Sequence, residues 1–311
     1  VGVEYRIEVT GGGVRLGRKR TDDGSPEEVA RLRRLDRTGG TASKGRDSSG
    51  RQGRVIRGFS AKSRMNMRWV FSALPWHECG EYLAMVTATY PSDWQAVCPD
   101  GKTLKARHLH AFRCRWERRF GPVKGAWAME FQERGAPHIH MYVGMSDAAR
   151  AELLRVEDSK TGRFRWDWPW ARENWFDIVG SGDAKHLYRG VDVSTCRFGS
   201  ALENATRVGE YFWRESGKRR QKHVPEEFCD VGRFWGYWRM KPWSQEVELT
   251  EREYVEARRP LRLLRDKEAK RKVRRPKGLD GLQVVGVDGI DLGVRLRRWA
   301  IEEALESEQT G

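Results

Sequence analysis

The sequence predicts an α+β protein: a central antiparallel sheet with flanking helices, carried between basic, flexible N- and C-terminal extensions. Three observations predict it. The segments KGAWAMEF (124–131) and PHIHMYVG (137–144) are joined by the tight loop QERGA, the pattern of an antiparallel hairpin. Leu109, Phe112, Trp116 and Phe120 recur three or four residues apart within 104–120, the period of an amphipathic helix. Of 14 Trp in 311 residues, 13 fall between 61 and 245, so the material for a core is concentrated in the middle of the chain.

Taken in order, residues 1–60 hold twelve glycines and 14 Lys/Arg, and TGGTASKGRDSSGRQGR (38–54) is poor in apolar residues. This segment reads as a largely disordered basic arm, interrupted by a short helix where Ser25-Pro26-Glu27-Glu28 supplies a cap and acids. The folded domain is placed at 61–245. Its first helix sets Met65, Trp69, Val70 and Leu74 on one face. A buried strand follows at EYLAMVTATYP (81–91), ended by Pro91. After the 104–120 helix and the hairpin, a further helix is expected near Ser146–Val156, then FRWDWPWARENWF with four Trp between 166 and 175. A last helix starts at Ser200, with Glu203 completing a capping box, and runs to about Glu215. Residues 246–311 read as a basic tail, helical or flexible: Arg258–Lys277 has eleven Lys/Arg against two acids.

The formal net charge of +15, with 44 Arg against 15 Lys, fits a polyanionic partner, and planar guanidinium groups suit phosphate. No run of eighteen apolar residues is present, so no transmembrane helix and no membrane partner are expected. The first residues lack the apolar centre of a signal peptide. Cys79, Cys98, Cys114, Cys196 and Cys229 are dispersed with no CxxC pair, which fits reduced thiols and a cytoplasmic location.

Chemistry concentrates in the hairpin. His138 and His140 lie two apart, so on a strand both imidazoles point to one face while Ile139, Met141 and Val143 point to the other. A loop centred near Arg134 pairs Glu130 with His138 and Ala128 with His140. The same register sets Trp127, Met129 and Phe131 against Met141, Ile139 and Val143. Two imidazoles and a carboxylate on one face make a divalent-cation site with open positions; the competing reading is a pair of half-exposed strand histidines without metal. His108-Leu109-His110 has the same letters but lies in the 104–120 helix. Residues two apart there diverge by roughly 200°, so that pair is not a metal site.

The second candidate is Tyr211, in RVGEYFWRESGKRRQK. On a helix from Ser200, Asn204, Arg207, Tyr211 and Arg214 form one polar stripe, followed by Lys218, Arg219 and Arg220. A phenol has an ordinary pKa of about 10, and neighbouring cations lower it towards a nucleophile. The competing reading is a packed or surface tyrosine.

These motifs together resemble the HUH endonuclease superfamily, and within it the rolling-circle replication initiators. HIH (138–140) resembles the two-histidine motif, MVTATYP (85–91) the first motif, and EFQERGAPHIH (130–140) the stretch that carries a third metal ligand, identified with Glu130. RVGEYFWRESGKRRQKHVP resembles the tyrosine motif and GRFWGYW (232–238) a segment that follows it. The resemblance spans about residues 58–245. It implies a five-stranded, ferredoxin-like sheet, bound Mg²⁺ or Mn²⁺, and Tyr211 as the nucleophile of a nickase. Attack by Tyr211 would give a 5′-phosphotyrosine and a free 3′-hydroxyl primer. The family places a Lys three or four residues after the tyrosine; here Arg214 and Glu215 stand there, so Arg214 is the first choice for that cation and Lys218 the second. Arg207 and Glu215 occupy the positions of a second tyrosine, which makes this a single-tyrosine pattern, with Tyr188 the nearest rival.

The implied partner is DNA, a plasmid double-strand origin with a single-stranded or hairpin nick site, contacted by Arg134, Arg207, Arg219 and Arg220. No P-loop GxxxxGK[ST] occurs, so a host helicase and a DNA polymerase would be separate partners; monomer and dimer both stay open. Three other readings remain: an HUH transposase or relaxase, a metallohydrolase, and a non-catalytic DNA-binding protein.

Overall fold

The structure is a computed structural model, and it describes residues 2–21, 58–157, 162, 164–197, 224–269, 282–285, 292–296 and 298–299. Two compact units divide the chain: Val55–Pro242, and Val1–Arg54 together with Trp243–Gly311.

The first strands are β1 (Gly2–Thr10) and β2 (Gly13–Thr21), paired antiparallel across Gly11-Gly12. This corrects the expectation of a disordered arm over residues 2–21. Tyr5, Ile7 and Val9 alternate with Glu4, Arg6 and Glu8, and Val14 and Leu16 answer them across the turn. That alternation gives the hairpin one apolar face, which counting glycine over sixty residues conceals. The expected helix at residues 25–28 and the 38–54 stretch lie outside the described residues.

In the central unit, α1 (Ala61–Ala73) is capped by the Ser60 hydroxyl, which accepts from Ser63 N at 3.1 Å. Its buried residues include Met67, Trp69 and Phe71, with Leu74 just beyond its end, while Met65 and Val70 are only half-buried. Of the expected face, Trp69 and Leu74 are thus buried and Met65 and Val70 are not; the Phe71 ring meets Trp235 edge-on at 5.6 Å. Strand β3 (Tyr82–Thr89) precedes the short α2 (Trp94–Val97). A π-helical stretch, Thr103–Leu109, then runs into α3 (His110–Phe120). Strands β4 (Gly125–Phe131) and β5 (Pro137–Gly144) form the expected hairpin. The helix foreseen from Ser146 is shorter than expected, α4 (Asp147–Ala151), because Leu154–Glu157 departs as β6 to pair with β7 (Phe164–Asp167). Pro169–Val179 (α5) and Ala184–Arg189 (α6) lead to β8 (Val191–Arg197), and β9 (Trp235–Trp238) completes the unit.

The sheet has seven strands in the order β6-β7-β8-β3-β5-β4-β9. The implied five-stranded arrangement is therefore extended: five strands run from β8 to β9, and the β6–β7 hairpin joins their edge through the single pair Trp166–Val193. One face of the sheet is apolar throughout. Ala84, Val86, Ala88, Ile139, Met141, Val143 and Met129 are 0–1% exposed and belong to one core. Aromatic rings link α3 to the segment beginning at Trp168: Trp116 meets Trp168 at 4.7 Å, Phe120 meets Trp170 at 4.8 Å, and Phe112 meets Trp175 at 5.8 Å, each close to edge-on. The crowded tryptophans of 166–175 are therefore mainly core.

The remaining strands, β10 (Gln245–Leu249) and β11 (Leu282–Val285), flank the N-terminal hairpin in a four-stranded sheet of order β10-β1-β2-β11. Between them α7 (Glu251–Ala269) buries Tyr254, Ala257 and Leu261 with Ile7, Val14 and Leu16. The first part of the expected basic tail is thus a helix packed in a core of its own. No helix among the described residues is long and apolar enough to cross a membrane.

Trp175 is fully buried, and its indole N–H donates to Thr89 O at 2.7 Å. Trp175→Ala should lower unfolding free energy by about 3–5 kcal/mol, read from urea denaturation followed by circular dichroism. Burial, and then the nearby Arg107, push the His108 imidazole down to about 4. The folded state therefore favours neutral His108, while the unfolded chain takes up a proton below about 6.5. Stability from this group is complete above pH 6.5 and falls as pH drops towards 4. His108→Asn should flatten that part of the profile when urea midpoints are compared between pH 7 and pH 4.5.

Candidate metal centre

The hairpin register is Glu130–His138, Ala128–His140, Met129–Ile139 and Trp127–Met141. These pairs agree with the sequence reading; Phe131 instead pairs with Pro137, and Val143 with Gly125. On the other side of β5, β3 sets Thr87 beside His140 and Thr89 beside His138, and Asp192 of β8 lies beside Thr87. Paired residues share a face. The face opposite the core therefore carries one row of Asp192, Thr87, His140 and Ala128, and a second of Thr89, His138 and Glu130.

The turn is fixed by its backbone. Gly135 N donates to Gln132 O and Gln132 N to Ala136 O, both at 2.9 Å, and Gly135 takes a φ of +81°, where a side chain is disfavoured. Strand alternation then carries Glu130 and the two histidines to the same side. Glu130 and His140 are 6% and 8% exposed, and His138 is half-buried.

One ligand atom from each of Glu130, His138 and His140 lies within 4.8 Å of the others. Among the described residues this is the group of His, Cys, Asp and Glu atoms that converges in this way. His140 Nε2 is 2.9 Å from Glu130 Oε1, and the rings of His138 and His140 stand edge-to-face at 4.6 Å. A carboxylate held beside two imidazoles in a region of low dielectric is costly by itself, and a divalent cation drawn in by all three offsets that cost. The donor set, two imidazoles and one carboxylate from one direction, fits a metal with open positions on the other side.

Residues around the triad set its geometry. Thr87 Oγ1 lies 3.1 Å from His140 Nδ1; by accepting Nδ1–H it leaves the Nε2 lone pair for a metal. Gln132 Oε1 accepts from Arg134 Nε at 2.9 Å and from Thr89 Oγ1 at 3.2 Å, while its Nε2 is 3.3 Å from His138 Nδ1. Arginine can only donate, so Arg134 fixes which way the Gln132 amide faces. The Arg134 guanidinium also donates to Pro91 O and Tyr90 O. Expected from sequence to contact DNA, Arg134 lies in the turn with its nitrogens bonded to the end of β3, and burial lowers its pKa. Thr87, Thr89 and Gln132 were not singled out by sequence reasoning. The signal was present: each continues the every-second-residue series of its strand on the ligand face.

Behind Thr89, the His186 Nε2–H donates to Thr89 O at 2.9 Å and its Nδ1 accepts from Ser181 Oγ at 2.9 Å. Burial lowers the His186 pKa, consistent with that neutral tautomer. The look-alike pair is separated as expected: His108 is buried with Nδ1 3.1 Å from Tyr90 OH, whereas His110 is exposed beside Arg113 and Cys114. Tyr188 is 61% exposed on α6, with the Arg172 guanidinium 5.3 Å from its ring centre. Tyr211, Arg214, Lys218, Arg207, Arg219 and Arg220 lie outside the described residues.

Residues 83–188 match the family model of replication-associated protein ORF2/G2P. The matched span runs from β3 to α6 and contains all three residues of the triad; it ends before Tyr211. The match agrees with the resemblance to a rolling-circle replication initiator. No curated protein and no solved structure matches the chain.

His140→Ala should abolish Mn²⁺ binding measured by isothermal titration calorimetry. Thr87→Val should weaken it roughly 10- to 100-fold, the usual effect of losing a group that orients a ligand, with little change in urea midpoint.

Proposed function

We propose that this protein is a metal-dependent, site-specific single-strand DNA nickase that initiates rolling-circle replication of a plasmid. The observation that carries the reading is the convergence of Glu130, His138 and His140 on one face of a sheet, inside a segment that matches a replication-associated family. A net charge of +15 supports a nucleic-acid partner.

His138, His140 and Glu130 would hold Mg²⁺ or Mn²⁺, which when bound would supply Lewis-acid polarisation of the scissile phosphodiester. The Tyr211 oxygen, having lost its proton, attacks the phosphorus in line with the departing 3′-oxygen. The P–O3′ bond breaks as the Tyr–O–P bond forms, and the 3′-oxygen takes up a proton. The products are a 5′-phosphotyrosine and a 3′-hydroxyl that primes synthesis. Since one phosphodiester replaces another, little free energy is lost, and a later 3′-hydroxyl can reseal the strand. Arg214, with Lys218 four residues on in the sequence, stabilises the phenolate and the phosphate. Arg207, Arg219 and Arg220 hold flanking phosphates, each contact adding to a steep salt dependence. Arg134 serves the site by holding the turn of the ligand hairpin. A host helicase and polymerase complete the reaction sequence.

Supercoiled plasmid carrying the gene's own upstream region, incubated with protein and Mn²⁺, should convert to open circle with one mapped nick, and EDTA should prevent it. Tyr211→Phe should abolish both the nick and the covalent protein–DNA adduct while leaving DNA binding in gel shifts unchanged. Wild-type nicking by Tyr211→Phe would remove that residue from the mechanism. Absence of any metal-dependent nick or adduct from the wild type would leave a DNA-binding protein without cleavage.

A further inference from the structure

The two histidines of the triad do not stand in equivalent surroundings. A neutral imidazole has one N–H and one lone pair in the plane of its ring. A metal-binding imidazole ordinarily gives its N–H to an acceptor and its lone pair to the cation. His140 has that arrangement: the Thr87 hydroxyl lies 3.1 Å from Nδ1, and Nε2 faces Glu130 Oε1 at 2.9 Å. His138 meets a donor instead, since Gln132 Nε2 lies 3.3 Å from its Nδ1. The orientation of that amide is set at its other end. Arg134 Nε, which can only donate, is 2.9 Å from Gln132 Oε1, and the Thr89 hydroxyl donates to the same oxygen at 3.2 Å. Both neighbours are themselves anchored: the Arg134 guanidinium donates to Pro91 O and Tyr90 O, and Thr89 O accepts from Trp175 and His186. The amide cannot reverse without setting its N–H against a guanidinium.

We propose that Gln132 is a latch on the third metal ligand: it holds His138 with the ring hydrogen on Nε2 and must release Nδ1 before His138 joins the metal centre. The latch rests on the metal site of the nickase reading and adds how that site is completed. An N–H aimed at Nδ1 occupies the single lone pair of His138. The ring therefore has two ways to bind a cation. It can use Nδ1 once the amide has swung away, or Nε2 once the amide has reversed to accept Nδ1–H. Both break the bond between Gln132 and His138, and the second also breaks the bond from Arg134. A divalent cation thus competes with the β4–β5 turn for one of its ligands, while Glu130 and His140 stand ready as a pair. Gln132 is a positioning residue, acting only through His138. The sign of its effect separates a latch from a support. Loss of a support such as Thr87 weakens metal binding, whereas loss of a competitor tightens it.

The test uses the full chain, freed of metal, with Mn²⁺ as the probe in isothermal titration calorimetry. Gln132→Leu, close in size and without hydrogen-bonding groups, should bind Mn²⁺ about 3- to 10-fold more tightly than the wild type, the equivalent of one neutral hydrogen bond. Gln132→Glu, whose carboxylate accepts Nδ1–H and leaves Nε2 to the metal, should bind more tightly still. Equal or weaker binding by Gln132→Leu overturns the latch and leaves the metal centre standing. A second measurement needs no variant: ¹H–¹⁵N spectra of the histidine rings in the metal-free wild type should place the His138 hydrogen on Nε2. A hydrogen on Nδ1 of His138 overturns the latch whatever the variants do. No Mn²⁺ binding by the wild type or by either variant removes the metal centre and the latch with it. Tighter binding by Gln132→Leu, with no nicking of origin plasmid by the wild type, refutes the nickase and leaves the latch standing.

Discussion

The registry of three neighbouring strands, β3, β5 and β4, is the constraint on which the rest depends. A strand has two sides, and its residues alternate between them without exception unless a bulge intervenes. Here one side is filled by Ala84, Val86, Ala88, Ile139, Met141 and Met129, none more than 1% exposed. Burying that side fixes the parity of every residue, and with it the side taken by Glu130, His138 and His140. The candidate metal centre is thus held by hydrophobic packing on the face it does not occupy. Hydrogen bonds from Thr87, Gln132 and Arg134 adjust orientation within that frame, each worth far less than the core that sets it.

The electrostatics follow from the same geometry. Glu130 and His140 are nearly out of contact with solvent, where water screens charge poorly and a cation binds more strongly than it would at the surface. Exposed cations are abundant in the sequence, but the described residues near the triad use theirs for architecture. Arg134 holds the turn through Pro91 O and Tyr90 O. Attraction of a polyanion and the cutting of it are in this reading tasks of different parts of the chain.

Legibility in the sequence tracked how local each determinant is. The hairpin pairs Glu130–His138 and Ala128–His140 could be placed because the turn is short and both strands alternate cleanly. The separation of His108 from His110 was equally local, since helical geometry alone decides it. Determinants that depend on distant partners were not legible. The buried face of α1 includes Phe71, whose partner Trp235 lies far along the chain. The β6–β7 hairpin looks like the end of a helix until its pairing is seen. The first hairpin, at residues 2–21, lay within a segment judged by its average composition, and its partner strands come from the other end of the sequence. Arg134 carries a task that no local pattern announces: its bonds go to carbonyls more than forty residues away in sequence.

Those bonds from Arg134 also act as a ruler. They tie the middle of the β4–β5 turn to Tyr90 and Pro91 at the end of a separate strand. A residue inserted into the turn would carry the guanidinium out of reach, or else slide β5 by one position. A slide by one would bring Ile139 and Met141 to the open face and bury both imidazoles among alanines and methionines. The interval between the carboxylate and the first histidine is therefore closed to gradual drift. Descendants of this protein should vary almost anywhere before they vary there.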